Sequence, residues 1–216
     1  MRLNTDQIEF WAGDFGNNYH ERNAGNLLQT SGRMSLWAKI MAHINRWDES
    51  QPGAIDQILE VGAGLGQNLR ILQRMYPDSA FRMLAVEPNA KARAELEQNG
   101  ISLVGHSASL IEMPSNSVPL VFTSGVLIHI SPERLGEALQ EIHRVSSRWI
   151  VCIEYFSAQP TEIEYRGQKG LLWKRDYGSD YMNLFPNLQC RGYGFEWKPT
   201  TGLDNLTWWA FEKPTW

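Results

Sequence analysis

The stretch "LEVGAGLGQNL", Leu59 to Leu69, decides the reading of this chain. Before it, "AIDQI" begins an apolar run rich in Ile, Leu and Val. Gly62, Gly64 and Gly66 then follow two residues apart, and "QNLRILQRMYP" continues with helical period. A strand, a glycine turn and a helix are expected in that order. Glycines there let the backbone turn sharply and approach a ligand closely, which implies a nucleotide-like ligand.

Spacing separates the two ligand classes that use such a turn. The dinucleotide fingerprint G-x-G-x-x-G needs a third glycine at position 67, where this chain has Gln67; the pattern present is G-x-G-x-G with Glu60 before it. A pyrophosphate is repelled by a carboxylate beside a helix N-terminus, whereas the ammonium of S-adenosylmethionine is attracted. Glu87 in "LAVEPNA" lies 21 residues after Gly66, at the end of the next expected strand, where a carboxylate can accept hydrogen bonds from a ribose. Glu87 alone fits either cofactor; with Glu60 and the three glycines it favours S-adenosylmethionine, with NAD as the alternative.

Outward from the turn, strands and helices alternate. "FRMLAVEP", "ISLVG", "VPLVFTSGV" and "RWIVCIEYF" read as strands, and "NAKARAELEQNG" and "SPERLGEALQEIHRV" as helices, the second with Ser131 as N-cap and Pro132 in its first turn. Such alternation predicts a mostly parallel sheet with helices on both faces. Upstream, Leu36, Trp37, Ile40, Met41, Ile44 and Trp47 predict an amphipathic helix over Ser35–Trp47. Past Phe156 the periodicity weakens, and "QCRGYGFEW" and "LTWWAFEKP" are expected to close the sheet as an antiparallel hairpin at one edge.

At 216 residues and 43% hydrophobic content, one domain with a sizeable core is expected. We divide it into an N-terminal helical lid (1–50), a cofactor-binding core (55–156), a substrate-side insertion (157–187) and C-terminal antiparallel strands (188–216). The net charge of -4 supplies no basic field for nucleic acid, and Trp208, Trp209 and Trp216 read as packing residues rather than base-stacking ones. Neither a signal peptide nor a membrane span is recognisable, so a cytoplasmic chain, monomeric or homodimeric, is expected. Cys152 and Cys190 read as buried thiols; with the histidines dispersed, no metal is expected.

In order and spacing, "ILEVGAGLGQNL", "AVEPN", "GHSASLIEMP" and "LVFTSGVLIHI" resemble the successive motifs of class I S-adenosylmethionine-dependent methyltransferases. That resemblance implies a Rossmann-like, seven-stranded fold with the cofactor, and its product S-adenosylhomocysteine, across the carboxyl ends of the strands. On it, Glu60, Gly62, Ala63 and Gly64 surround the methionine part, Glu87 and Pro88 the ribose, and Ser107, Ala108 and Ser109 the adenine, while Ser124, Gly125 and Val126 line the floor under the sulfonium. Val118 and Pro119 depart from the family, whose members often have Asp two residues before "LVF". "FWAGDFGNNYHERN", "GVLIHI" and "PTEIEYRGQKGLLWKRDYGSDYM" further resemble the methylases associated with pseudaminic acid biosynthesis, which implies a nonulosonic-acid-type acceptor.

Methyl transfer from a sulfonium mainly needs alignment and exclusion of water, and a base only where the acceptor loses a proton. His129 in "GVLIHI" is the candidate base, against a structural role at a strand end. Glu154 and Tyr155 on the same rim, with Tyr165, Arg166, Lys174 and Arg175 in the insertion, are candidates for holding a small, polar, acidic acceptor; their alternative is rim and packing work. In the leader, Phe10, Trp11 and Phe15 are expected to dock a lid that turns at Gly13 and Gly16, with Tyr19 and Arg22 sharing a helix face toward the cofactor. Two other readings remain: a nicotinamide-dependent oxidoreductase, and a cofactor-binding module without turnover.

Overall fold

The computed structural model describes residues 6–22, 26–44 and 55–214. Helices Asp6–Ala12 (α1), Asp14–Arg22 (α2) and Leu27–His43 (α3) precede the first strand, Gln57–Val61 (β1). From there the chain alternates through Gln67–Met75 (α4), Arg82–Val86 (β2), Ala90–Gln98 (α5), Ser102–Leu103 (β3), Val118–Ser124 (β4), Pro132–Val145 (α6) and Ser146–Glu154 (β5). It ends with Tyr177–Leu184 (α7), Gln189–Glu196 (β6), Lys198–Thr201 (α8) and Leu206–Glu212 (β7). The seven strands form one sheet in the order β6-β7-β5-β4-β1-β2-β3, in which only β7 runs against its neighbours. This is the expected seven-stranded, Rossmann-like methyltransferase fold, closed at one edge by the β6–β7 hairpin.

The apolar runs that read as continuous in sequence divide between the two faces because successive side chains alternate. In β5, Trp149, Val151 and Ile153 join the core under α3 and α4, while Ile150 and Cys152 join the one under α6 and α7. Trp37 of α3 packs edge-on against Phe122 of β4, ring centroids 4.7 Å apart. Trp208 and Trp209 lie buried on opposite faces, as packing residues; Trp216 falls outside the described residues. Among the described residues, no helix is long and apolar enough to cross a membrane.

Four details differ from the sequence reading. Helix α3 begins eight residues before Ser35, at a capping box: Asn26 Oδ1 accepts from Gln29 N at 2.9 Å and Gln29 Oε1 accepts from Asn26 N at 3.2 Å. Hydrophobic periodicity misses these turns because Leu27 and Leu28 are exposed there while the buried residue is Gly32; Trp47 lies outside the described residues. The segment 157–187 contains a two-stranded ladder, Thr161–Glu162 with Trp173–Lys174, and the helix α7, whose Asp176 cap accepts from Ser179 N at 3.0 Å. Two turns are too short for a period to stand out, yet they bury Tyr177 and Tyr181 completely. Ser131 occupies the N-cap position of α6 but its side chain makes no cap hydrogen bond, and Cys190 is exposed because β6 is the sheet edge.

Gly32 makes the close crossing of α3 over α8 possible: a Cβ there would collide with the carbonyl oxygen of Thr201. Gly32→Ala should cost about 1–3 kcal/mol through overpacking, measured by denaturant unfolding; unchanged stability would refute this packing.

Candidate functional site

At the carboxyl ends of β1, β2 and β4, where the strand order reverses, the sheet opens into a cavity of about 180 Å³. Gly62, Gly64 and Gly66 all have positive φ (75°, 52° and 72°), which carries the chain from β1 into α4. A side chain at Gly62 would strike Val126. The turn is held against β2 by its own N–H groups: Gly62 and Ala63 both donate to Val86 O, at 2.8 and 3.1 Å, and Gly64 donates to Glu87 Oε2 at 2.7 Å. Glu87 Oε1 accepts from Asn89 N at 2.9 Å, so each oxygen of this buried carboxylate has one backbone bond and a second lone pair left for a ligand.

Gly62, Gly64, Glu87 and Pro88 line the cavity, with Ser107, Ala108 and Ser109 at one wall and Ser124, Gly125, Val126 and His129 at another. Tyr19 also lines it; the side chain of Arg22 lies outside what the structure describes. Glu60 and Ala63 stand behind the lining. Glu60 is buried, its Oε1 accepts from Asn68 Nδ2 at 2.7 Å, and its Oε2 has no hydrogen-bond partner among the described residues. Burial pushes the Glu60 carboxyl up to about 8, opposed by Asn68 and by the Arg33 charge nearby.

The leader forms a lid over this cavity, and Gln7, Ile8 and Trp11 join its lining. Phe10 and Phe15 pack at 4.1 Å between ring centroids, and Trp11 meets Phe15 and Tyr19 edge-on. Two amides fasten the lid. Gln7 donates to Gly170 O at 3.1 Å and accepts from Ser131 N at 3.2 Å; Asn89, already the cap of α5, donates to Asn17 Oδ1 at 3.0 Å and to Trp11 O at 3.3 Å. Asn89 ends the motif "AVEPN" and Gln7 lies in no motif, but the partners of both lie 72 to 163 residues away, so the sequence showed neither tie. It also missed the lining residue His106, beside the expected Ser107, and Ile130, Arg134 and Ala138, which lie at or in α6.

His129 sits beneath Trp11, ring centroids 4.6 Å apart, and beside Tyr165 at 5.3 Å. Its Nδ1 is 2.7 Å from Leu171 O; a carbonyl only accepts, so Nδ1 carries the proton and Nε2 bears the lone pair of the neutral ring. Burial pulls its pKa down to about 4, against the raising effect of that bond.

The substrate candidates separate on inspection of their partners. Glu154, expected to meet the acceptor, is fully buried: it accepts from Val126 N and Leu127 N at 3.2 Å and from Ile128 N at 3.4 Å, and so anchors the turn that presents His129. Burial raises this carboxyl to about 7. Arg175 is held by Asp180 at 2.7 Å and is not among the residues lining the cavity. Tyr155 donates to Asp204 Oδ2 at 2.7 Å with Lys174 Nζ 5.4 Å above its ring, and Arg166 lies 5.8 Å over the ring of Tyr165. Tyr165 thus stands next to His129 with Arg166 over its ring, and Tyr155, within electrostatic reach of Tyr19 and Tyr165, carries Lys174 above its own ring.

Residues 58–148 match the family described as Methyltransferase domain. No curated protein matches the chain in sequence. Among solved structures, the chain is similar to the 1,6-didemethyltoxoflavin-N1-methyltransferase of Burkholderia thailandensis, with bound 1,6-didemethyltoxoflavin and S-adenosylhomocysteine (17% identity, TM-score 0.71, covering 100% of this chain and 93% of that one). It is also similar to the magnesium protoporphyrin IX methyltransferase of Synechocystis PCC 6803 with bound SAH (11% identity, TM-score 0.68, 96% and 98% covered). A third structure, the 4+2 cyclase SpnF, matches at 11% identity and TM-score 0.52 over 74% of this chain and 75% of that one. Likeness at these identities establishes the fold.

Two outcomes follow from the buried groups. His129 should remain neutral at pH 6 with its proton on Nδ1, read from imidazole nitrogen shifts. Because its folded pKa lies below the ordinary 6.5, its contribution to stability is complete above pH 6.5 and is lost as pH falls toward 4, so His129→Gln should flatten the fall in Tm over that window. Glu154→Ala leaves three buried N–H groups without their acceptor and should cost about 1–3 kcal/mol in denaturant unfolding, with Glu154→Gln, which keeps one acceptor oxygen, costing less; equal and negligible losses would refute the anchor.

Proposed function

We propose that this chain is a class I S-adenosylmethionine-dependent methyltransferase and that it methylates a small polar metabolite bearing an acidic group, such as a carboxylated sugar of the nonulosonic acid type or an amino acid. The observation that carries this reading is the convergence of the glycine turn, Glu87 and His129 on one cavity under an aromatic lid.

The residues present suit the cofactor. Glu60 Oε2 is a buried acceptor with no partner, the complement of an ammonium group; Glu87 keeps lone pairs free for ribose hydroxyls; Ser107 to Ser109 offer a narrow polar wall to the adenine. When bound, S-adenosylmethionine supplies a methyl group already activated on a sulfonium. Glu60 and Glu87 hold and orient, and Trp11 and Tyr19 exclude water from the cavity.

His129 is the proposed base. A hydroxyl or amine becomes far more acidic as its bond to the methyl forms, so a neutral Nε2 lone pair of low basicity suffices to take that proton. Leu171 O fixes the tautomer that leaves Nε2 unprotonated, and Glu154 fixes the turn. Arg166, over the Tyr165 ring beside His129, supplies a cation suited to an acceptor carboxylate. The likeness to the pseudaminic acid-associated methylases supports the same class of acceptor.

Calorimetric titration tests the cofactor. S-adenosylhomocysteine should bind and NADH should not, and Glu87→Ala should weaken S-adenosylhomocysteine at least tenfold, about 1.4 kcal/mol. Binding of NADH alone would overturn the reading. Transfer of labelled methyl to carboxylated sugars and amino acids, but not to their neutral analogues, tests the acceptor class.

A further inference from the structure

On the outer side of α4, away from the cofactor cavity, lies a second pocket of about 330 Å³ between α3, α4 and the end of α5. Arg33, Arg70 and Arg74 line it together with Thr30, Gln67 and Asn99, and no carboxylate among the described residues lines it. Gln67, Arg70 and Arg74 fall on one face of α4 at spacings of three and four, so the helix presents both of its arginines to the same space.

The three cations are only partly compensated. Arg33 makes one guanidinium hydrogen bond among the described residues, from Nη1 to the neutral Asn68 Oδ1 at 3.2 Å, and its charge is met at longer range by Glu60 and Asp204. Arg70 reaches the exposed Glu95 only at 3.4 Å, and no ion pair of Arg74 is found among the described residues. In a chain with net charge -4, three arginines on one pocket, two of them on one helix face, concentrate positive charge locally. Guanidinium forks suit tetrahedral oxyanions, whose several oxygens can accept from more than one fork at once.

We propose that the α3–α4 pocket is an anion-binding site for a phosphate-bearing metabolite, distinct from the cofactor and acceptor sites. Arg33 joins it to the cofactor turn, because Asn68 accepts from Arg33 and donates to Glu60 Oε1 at 2.7 Å. The Arg33 charge favours the ionised form of Glu60; an anion on Arg33 offsets that charge, so Glu60 holds its proton more readily and grips an ammonium group less firmly. Anion and S-adenosylmethionine therefore oppose each other. This coupling rests on the role proposed for Glu60 above; the anion site itself does not.

Inorganic pyrophosphate serves as the probe, titrated calorimetrically into the full chain at low ionic strength. Saturable binding is expected in the wild type, weakened at least tenfold in Arg70→Gln/Arg74→Gln, with thermal unfolding of the variant as the check on folding. No saturable binding up to about 10 mM, or equal binding in the double variant, which would put the probe on the glycine turn or elsewhere, overturns the site. With pyrophosphate saturating, S-adenosylhomocysteine affinity should fall in the wild type and not in the double variant; unchanged wild-type affinity overturns the coupling. Should S-adenosylhomocysteine not bind at all, the cofactor reading fails while the arginine dependence of pyrophosphate binding is still measured.

Discussion

The corner formed by Glu87 and Asn89, just past β2, is the constraint on which the rest of the site depends. One carboxylate accepts from the glycine turn after β1 and from its own chain two residues on, and the next polar side chain caps α5 while gripping the lid. Three segments far apart in sequence meet within three residues. The bonds are made by buried groups, so loss of either side chain strands donors away from water rather than merely removing an attraction. A cavity of fixed shape results, with Trp11 and Tyr19 closing it from above and Val126 from below.

Burial sets the electrostatics of the site. Glu60, Glu87, His129 and Glu154 all sit where desolvation disfavours charge, so the carboxyls are raised and the histidine lowered. A chemistry that moves a methyl from a sulfonium suits such surroundings, because a neutral acceptor atom and a neutral imidazole need no strong acid or base of the protein. A shared fold does not by itself dictate that chemistry: the same architecture is found in two methyltransferases and in a cyclase. The function proposed here rests on the cavity residues.

Much of this was legible in the chain, and for definite reasons. Strand identity came from apolar runs, helix identity from period, and the turn from glycines whose positive φ the structure confirms. Twelve of the residues expected at the cofactor or catalytic site line the cavity, among them Gly62, Glu87, Ser107 and His129, because motifs at strand ends keep their place once the sheet order is known. The structure gives Glu154 and Arg175 protein partners that the sequence did not foretell, because a charged residue near a rim reads the same in sequence whether its partner is a ligand, a backbone N–H or an aspartate.

What the sequence by itself determined is the fold class, the ligand turn and the identity of the candidate base, since each depends on local spacing along the chain. Only the tertiary structure decided how the lid is fastened, that Glu154 faces inward to hold the His129 turn, which tautomer His129 adopts, and that Arg33, Arg70 and Arg74 share a pocket. Those facts depend on groups tens of residues apart satisfying one another's hydrogen bonds and charges, and no local pattern records such a pairing.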